Sequence, residues 1–140
     1  MNELEKTKCS FCTIVSKSYL VRVLALYYSL ERHSENFHLW ICCMDDEGYL
    51  ALSTMDLKNA SLIHLSAIED KQMAAAKDTR KINEYCWTLK AAVSRYVLMR
   101  CSTDAVIYCD SDMFFFSDPQ KVFDEWGEAS IFLCPQRDTE

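Results

Sequence analysis

Asp110-Ser111-Asp112 is the stretch of this sequence best equipped for chemistry. Two carboxylates so close together can hold a hard divalent cation through oxygen ligands. They follow a short apolar run, Ala105 to Cys109, and precede an apolar cluster, Met113 to Phe116, before Ser117-Asp118-Pro119 closes the stretch. The run is too short for a helix, rich in β-branched and aromatic residues, and bounded by turn formers, so it reads as a buried strand. Carboxylates at the end of a buried strand are costly unless something compensates them. The carboxyl end of the strands is also where open α/β sheets bind ligands. A divalent cation, Mn2+ or Mg2+, supplies the compensation, and a phosphate ligand can share it. Most Asp-Ser-Asp triplets are solvated turns; the apolar residues on both sides are what favour the metal here.

The rest of the composition limits the partners. The chain has 140 residues, half of them hydrophobic, with only two Gly and two Pro, which describes one globular domain. Its net charge is −6, from 15 basic and 21 acidic residues, and it has no basic stripe, so nucleic acid is not its partner. The basic clustering is confined to Lys71, Lys77, Arg80 and Lys81, enough for a compact anion such as a diphosphate. Gly48 and Gly127 are the only glycines, so no glycine-rich cradle exists and phosphate must be neutralised by metal and basic side chains. No apolar run is long enough to span a membrane. No secretory leader is visible in Met1 to Lys8, which leads us to expect a cytoplasmic protein with reduced thiols.

Eight cysteines lie mostly inside apolar runs, where a thiol acts as a small hydrophobe. Cys9-Ser10-Phe11-Cys12 has C-x-x-C spacing, and Cys42-Cys43 could complete four zinc ligands. Against zinc, Cys12 falls within a strand pattern, and adjacent Cys42 and Cys43 would point to opposite faces of a strand. His33, His38 and His64 give no ligand-spaced pair.

The elements that must position the acidic pair can be read from hydrophobic periodicity. Ser10 to Ser16 reads as a first strand, and Ser18 as the cap of a helix over Tyr19 to His33. Phe37 to Met44 reads as a second strand, continuous enough in apolar character to be central and covered on both faces. Asp45 or Asp46 caps a short helix through Tyr49 to Met55, and Ser61 to Leu65 is a third strand. Ser66-Ala67-Ile68-Glu69 has capping-box spacing and predicts a helical turn that Met73 to Ala76 continues. Lys77 to Ile82 reads as a loop, and Asn83 as the cap of a long helix over Glu84 to Arg100. On that helix Cys86, Leu89, Val93, Tyr96, Val97 and Arg100 share one face. The strand with the acidic pair is next, then a helix over Pro119 to Trp126 capped by Asp118, and a fifth strand over Ala129 to Cys134. Strands alternating with helices predict βαβ units in a mostly parallel sheet.

The unit IYCDSDMFFFSDP resembles the DxD region of nucleotide-diphospho-sugar glycosyltransferases of the GT-A fold, nearest to bacterial enzymes related to family 8, the glycogenin-like group. Three more stretches agree in order: FCTIVSKSYLVRVLALYYSLERH, FHLWICCMDD and AAAKDTRKINEYCWTLK. The resemblance implies a three-layer α/β/α, Rossmann-like, mostly parallel sheet with strand order 3-2-1-4. It implies glycosyl transfer from a nucleotide-sugar donor, most simply a UDP-sugar, to an unknown acceptor. Carried over, Asp110 faces the ribose or the metal and Asp112 is a direct metal ligand. Lys77 and Arg80 match the basic positions near the diphosphate, and Thr13, Val15 and Ser16 line the nucleoside pocket. Each has a plainer reading: Lys77 and Arg80 solvate a loop, Thr13 is core, Ser16 is a turn residue, and Tyr85 and Trp87 are packing.

Family members run longer, and their second half carries the acceptor site and often a further metal ligand, commonly His. The resemblance therefore gives residues 1–140 as a single donor-binding domain without the acceptor half. Two rivals stand beside it. A strand followed by Asp-x-Asp also opens haloacid-dehalogenase-type phosphatases, but Phe114 occupies the position where those carry Thr or Val. The other is a non-catalytic, truncated nucleotide-binding or structural domain. Partners beyond the donor are an acceptor and, through an exposed sheet edge, a second copy of the chain.

Overall fold

A computed structural model describes residues 9–131. Four parallel strands form one sheet in the order β3-β2-β1-β4: β1 Cys9–Val15, β2 Phe37–Cys43, β3 Ala60–His64 and β4 Val106–Tyr108. This is the fold class and strand order expected from the sequence. Among the described residues five α-helices flank the sheet: α1 Leu20–His33, α2 Asp46–Ser53, α3 Lys71–Thr79, α4 Ile82–Leu98 and α5 Gln120–Trp126. Among the described residues no helix is long and apolar enough to cross a membrane.

Strand alternation divides the core into two layers. Phe11 and Val15 of β1, with Phe37, Leu39, Ile41 and Cys43 of β2, pack against Val23, Leu26, Tyr27 and Leu30 of α1. Cys12 and Ile14, with Cys42 of β2 and Ile63 of β3, pack against Tyr85, Leu89, Val93 and Val97 of α4. Both central strands are covered on both sides, which is why their sequences are almost unbrokenly apolar. Cys42 and Cys43 fall in opposite layers, as adjacent residues of a strand must, and neither they nor Cys12, Cys86, Cys101 and Cys109 are joined in disulfides.

The chain differs from its sequence-based outline at a few points. Ser66-Ala67-Ile68-Glu69 does not close a capping box. The Ser66 hydroxyl lies 2.7 Å from His64 Nδ1, and Glu69 is taken by the Tyr85 hydroxyl. A single 3-10 turn, Leu65–Ala67, forms there, and α3 starts later, where the Asp70 carboxylate accepts from the Met73 N–H at 2.8 Å. The expected loop at Lys77 to Ile82 is shortened because α3 runs on to Thr79. Asn83 is not the cap of α4: the helix begins at Ile82, and Glu84 accepts from the Lys81 N–H at 3.0 Å. The buried face of α4 opens with Tyr85 instead of Cys86. Ala129 to Ile131, the start of the expected fifth strand, are not in a strand, and its remainder lies outside the described residues.

Asp45 ties the exits of the two central strands together. One carboxylate oxygen caps α2 by accepting from the Gly48 N–H at 2.7 Å, and the other accepts from the Lys17 N–H just past β1 at 2.8 Å. Glycine at 48 leaves room for that approach, since a Cβ there would stand 3.0 Å from the Asp45 oxygen. Asp45→Ala removes a helix cap and a second backbone acceptor together. Its expected cost is about 2 kcal/mol, at the upper end for a lost cap, measured by urea denaturation.

Candidate functional site

A cleft of about 500 Å³ opens at the carboxyl ends of β1 and β4. Strand order puts it there: the chain moves outward from β1 to β2 to β3, then returns to lay β4 on the other side of β1. Open α/β sheets bind ligands at such a reversal point. Ile14 reaches the cleft from β1, Ser16, Ser18 and Tyr19 from the turn after it, Tyr108 from β4, and Asp110, Ser111 and Asp112 from the turn after that strand. One stripe of α4, Asn83, Cys86, Trp87 and Lys90, forms the opposite wall at helical spacing.

The acidic turn is held from both sides. Before it, β4 pairs with β1 and the Cys109 N–H donates to the Cys12 carbonyl at 2.9 Å. After it, the Phe115 N–H donates to the Ser29 hydroxyl at 3.0 Å, and that hydroxyl donates to the Leu26 carbonyl at 2.7 Å. Ser29 is a buried polar residue in α1 whose bonding capacity is used in this way. Phe115 itself turns inward, edge-on to Phe11 at 5.7 Å between ring centres, while Phe114 and Phe116 stay exposed.

Each carboxylate faces a cation. Asp110 Oδ1 is 2.7 Å from Lys90 Nζ, and Asp112 Oδ2 is 3.8 Å from an Arg22 guanidinium nitrogen. Lys90 also lies over the Tyr108 ring, 5.1 Å from its centre, and Arg22 over the Tyr19 ring at 4.6 Å. Burial, reinforced by the nearby Asp110 charge, pushes the Tyr108 hydroxyl up, so it remains a proton donor at neutral pH. Among the described residues no group of three or more His, Cys, Asp or Glu side chains could hold a metal by itself. Asp110 and Asp112 fit a different case, a hard cation bound by one or two carboxylates together with phosphate oxygens.

Of the residues singled out in the sequence, Ser16, Asp110 and Asp112 meet in this cleft. Thr13 and Val15 do not line it. Both are buried, and by alternation they share the Phe11 face toward α1, so Ile14 is the β1 residue between them that reaches the cleft. The Thr13 hydroxyl has no hydrogen-bond partner among the described residues, and nothing in its surroundings accounts for that.

Lys77 and Arg80 do not line the cleft either. The extension of α3 carries Lys77 to within 3.8 Å of Glu69 and over the Tyr85 ring, and Arg80 donates to the Thr88 hydroxyl. The cations at the acidic pair are instead Lys90 and Arg22, which basic clustering could not reveal because each stands alone in an apolar helix sequence. The available signal was position: Lys90 comes one helical turn after Cys86 and Trp87. Tyr85 is core, as its plainer reading had it, whereas Trp87 is 65% exposed at the cleft.

A Ser-His-Asp contact also exists, with His64 between Ser66 at 2.7 Å and Asp46 at 2.6 Å. It lies away from the cleft, and the Ser66 N–H also reaches the same His64 nitrogen, at 3.3 Å. This cluster joins α2 to the end of β3 and caps the 3-10 turn.

With this geometry in view, known proteins offer three comparisons. YfnD of Bacillus subtilis strain 168, an uncharacterized protein, is 34% identical over 130 residues, 92% of this chain and 42% of YfnD. YfnF of the same strain, also uncharacterized, is 33% identical over 125 residues, 89% of this chain and 41% of YfnF. The chain thus spans less than half the length of these curated relatives. No family model matches the sequence. Among solved structures, the apo form of the glycosyltransferase GlyE from Streptococcus pneumoniae TIGR4 superposes over 84% of this chain and 26% of GlyE, with a TM-score of 0.51 and 20% identity. The chain has a glycosyltransferase fold.

Cysteine labelling checks the placement of the cleft wall. Burial pushes the Cys12 thiol up to about 11 and the Cys42, Cys43 and Cys109 thiols up to about 12. Cys86, half-buried at the cleft, is less enclosed, and Lys90 partly offsets the effect of its burial. At pH 8 a thiol reagent acting on native protein should modify Cys86 well before those four. Peptide mass spectrometry reads the order, and earlier modification of Cys42 would contradict the geometry.

Proposed function

We propose that this domain binds a nucleotide-diphospho-sugar, most simply a UDP-sugar, in the cleft between β1 and β4, for glycosyl transfer to an acceptor. One observation carries the reading: Asp110 and Asp112 at the exit of β4 share a single cleft with Ser16 at the exit of β1, where the strand order reverses. The glycosyltransferase fold and the sequence resemblance to DxD-bearing GT-A enzymes support it. Asp112, with Asp110, would hold Mn2+ or Mg2+. Bound there, the cation would supply Lewis-acid stabilisation of the charge that develops on a leaving diphosphate.

The protein's own groups have distinct tasks in this reading. The Ser16 and Ser18 hydroxyls and the Asn83 amide offer hydrogen bonds to the nucleoside. Trp87 presents an apolar ring face at the opening. The Ser29–Phe115 anchor keeps the acidic turn in one position while a ligand enters.

Calorimetry tests the assignment. UDP binding to the wild type should depend on added Mn2+. Asp112→Ala should weaken it by about tenfold or more, which corresponds to about 1.4 kcal/mol for each factor of ten. The melting temperature without ligand should be nearly unchanged, because Asp112 is exposed and its cation partner is distant for an ion pair. Equal UDP affinity in the two proteins would remove Asp112 from the site.

A further inference from the structure

Among the described residues Lys90 is the basic side chain closest to the acidic turn, and its placement calls for a function. It projects from the third turn of α4, and its side chain is 35% exposed. The ammonium is fixed by two contacts, the Asp110 carboxylate at 2.7 Å and the face of the Tyr108 ring at 5.1 Å. Both partners line the cleft. Asp110 is also one of the two carboxylates that would receive a divalent cation. An ammonium and a divalent cation cannot both sit against the same carboxylate oxygen without strong repulsion.

We propose that Lys90 is the diphosphate-binding cation of this site and that, in the absence of ligand, it occupies the place of the metal on Asp110. The inference rests on the donor-site reading above. When a divalent cation takes the carboxylate, the Lys90 ammonium is released from Asp110. It remains on the cleft wall, attached through a flexible four-carbon stem. A nucleoside diphosphate arriving with the metal then supplies the oxygens that replace the lost contact. A lysine offers three donors that can turn to meet a new acceptor, which suits a group that changes partner. The site also contains no glycine-lined cradle, and Lys77 and Arg80 lie elsewhere, so among the described residues anion binding in this cleft falls to Lys90, with Arg22 on the other side of the acidic turn.

This arrangement predicts opposite effects on two ligands from one substitution. Lys90→Gln removes the internal competitor for Asp110 and keeps most of the stem. Manganese alone, followed by loss of the free-ion paramagnetic resonance signal, should bind Lys90→Gln about threefold more tightly than wild type, the scale of one half-exposed charge pair. UDP in saturating Mn2+, followed by calorimetry, should bind the same variant about tenfold more weakly, the scale of a lost charge-assisted hydrogen bond. Lys90→Arg should restore most of the UDP affinity. Opposite shifts with rescue by arginine support the inference. Either shift without the other, no shift at all, or no rescue by arginine overturns it while leaving the donor site in place. Failure of the wild type to bind UDP with Mn2+ would overturn the donor-site reading and this inference together.

Discussion

The position of β4 governs the site. A parallel strand that returns to the free side of β1 must be reached by a crossover on the opposite face from the β1-α1-β2 crossover, because right-handed connections are strongly preferred. The two layers have this separation, with α1 packed against one face and α4 against the other. The connections leaving β1 and β4 therefore diverge, and the cleft opens between them. Everything that could act on a ligand stands on the rim of that divergence: Ser16 from β1, the acidic pair from β4, and the stripe of α4 that faces them.

Two small polar devices keep the rim in order. Asp45 bridges the exits of β1 and β2 through two backbone N–H groups, and Ser29 bridges α1 to the segment just beyond the acidic turn. Both use one short side chain to satisfy two backbone partners. The β4 strand is only three residues long, so its ladder alone constrains the acidic turn weakly. The Ser29 bond and the inward packing of Phe115 supply the second fixed point.

Electrostatics at the site runs on compensation. The acidic pair is not buried, and Lys90 and Arg22 answer it at different distances, one a close contact and the other loose. In the donor-site reading proposed above, a carboxylate held by a lysine would already be oriented for a cation, and the lysine would already stand beside an anion that the cation brought. The overall negative charge of the chain does not conflict with anion binding, since the local field in a cleft is set by the groups that line it.

The sequence by itself determined the four strands of the sheet, their parallel class and most helix positions. The unbroken apolar strands at β1 and β2 required cover on both faces, and the helical stripe on α1 and the β-α alternation carried the rest. The acidic turn was also legible, because two carboxylates directly after a buried strand form a local pattern. Local pattern could not say which cations would meet those carboxylates. Lys77 and Arg80 cluster in sequence, but a helix that runs beyond its apolar segment rotates them onto Glu69, Tyr85 and Thr88. Lys90 is isolated in sequence and reaches Asp110 only because α4 lies across β1 and β4. Ser29, an ordinary polar residue in an apolar helix sequence, acquires its partner from a segment 86 residues away. Periodicity determines which face of an element is buried; which side chains meet across a cleft depends on how the layers are stacked, and that only the tertiary structure decided.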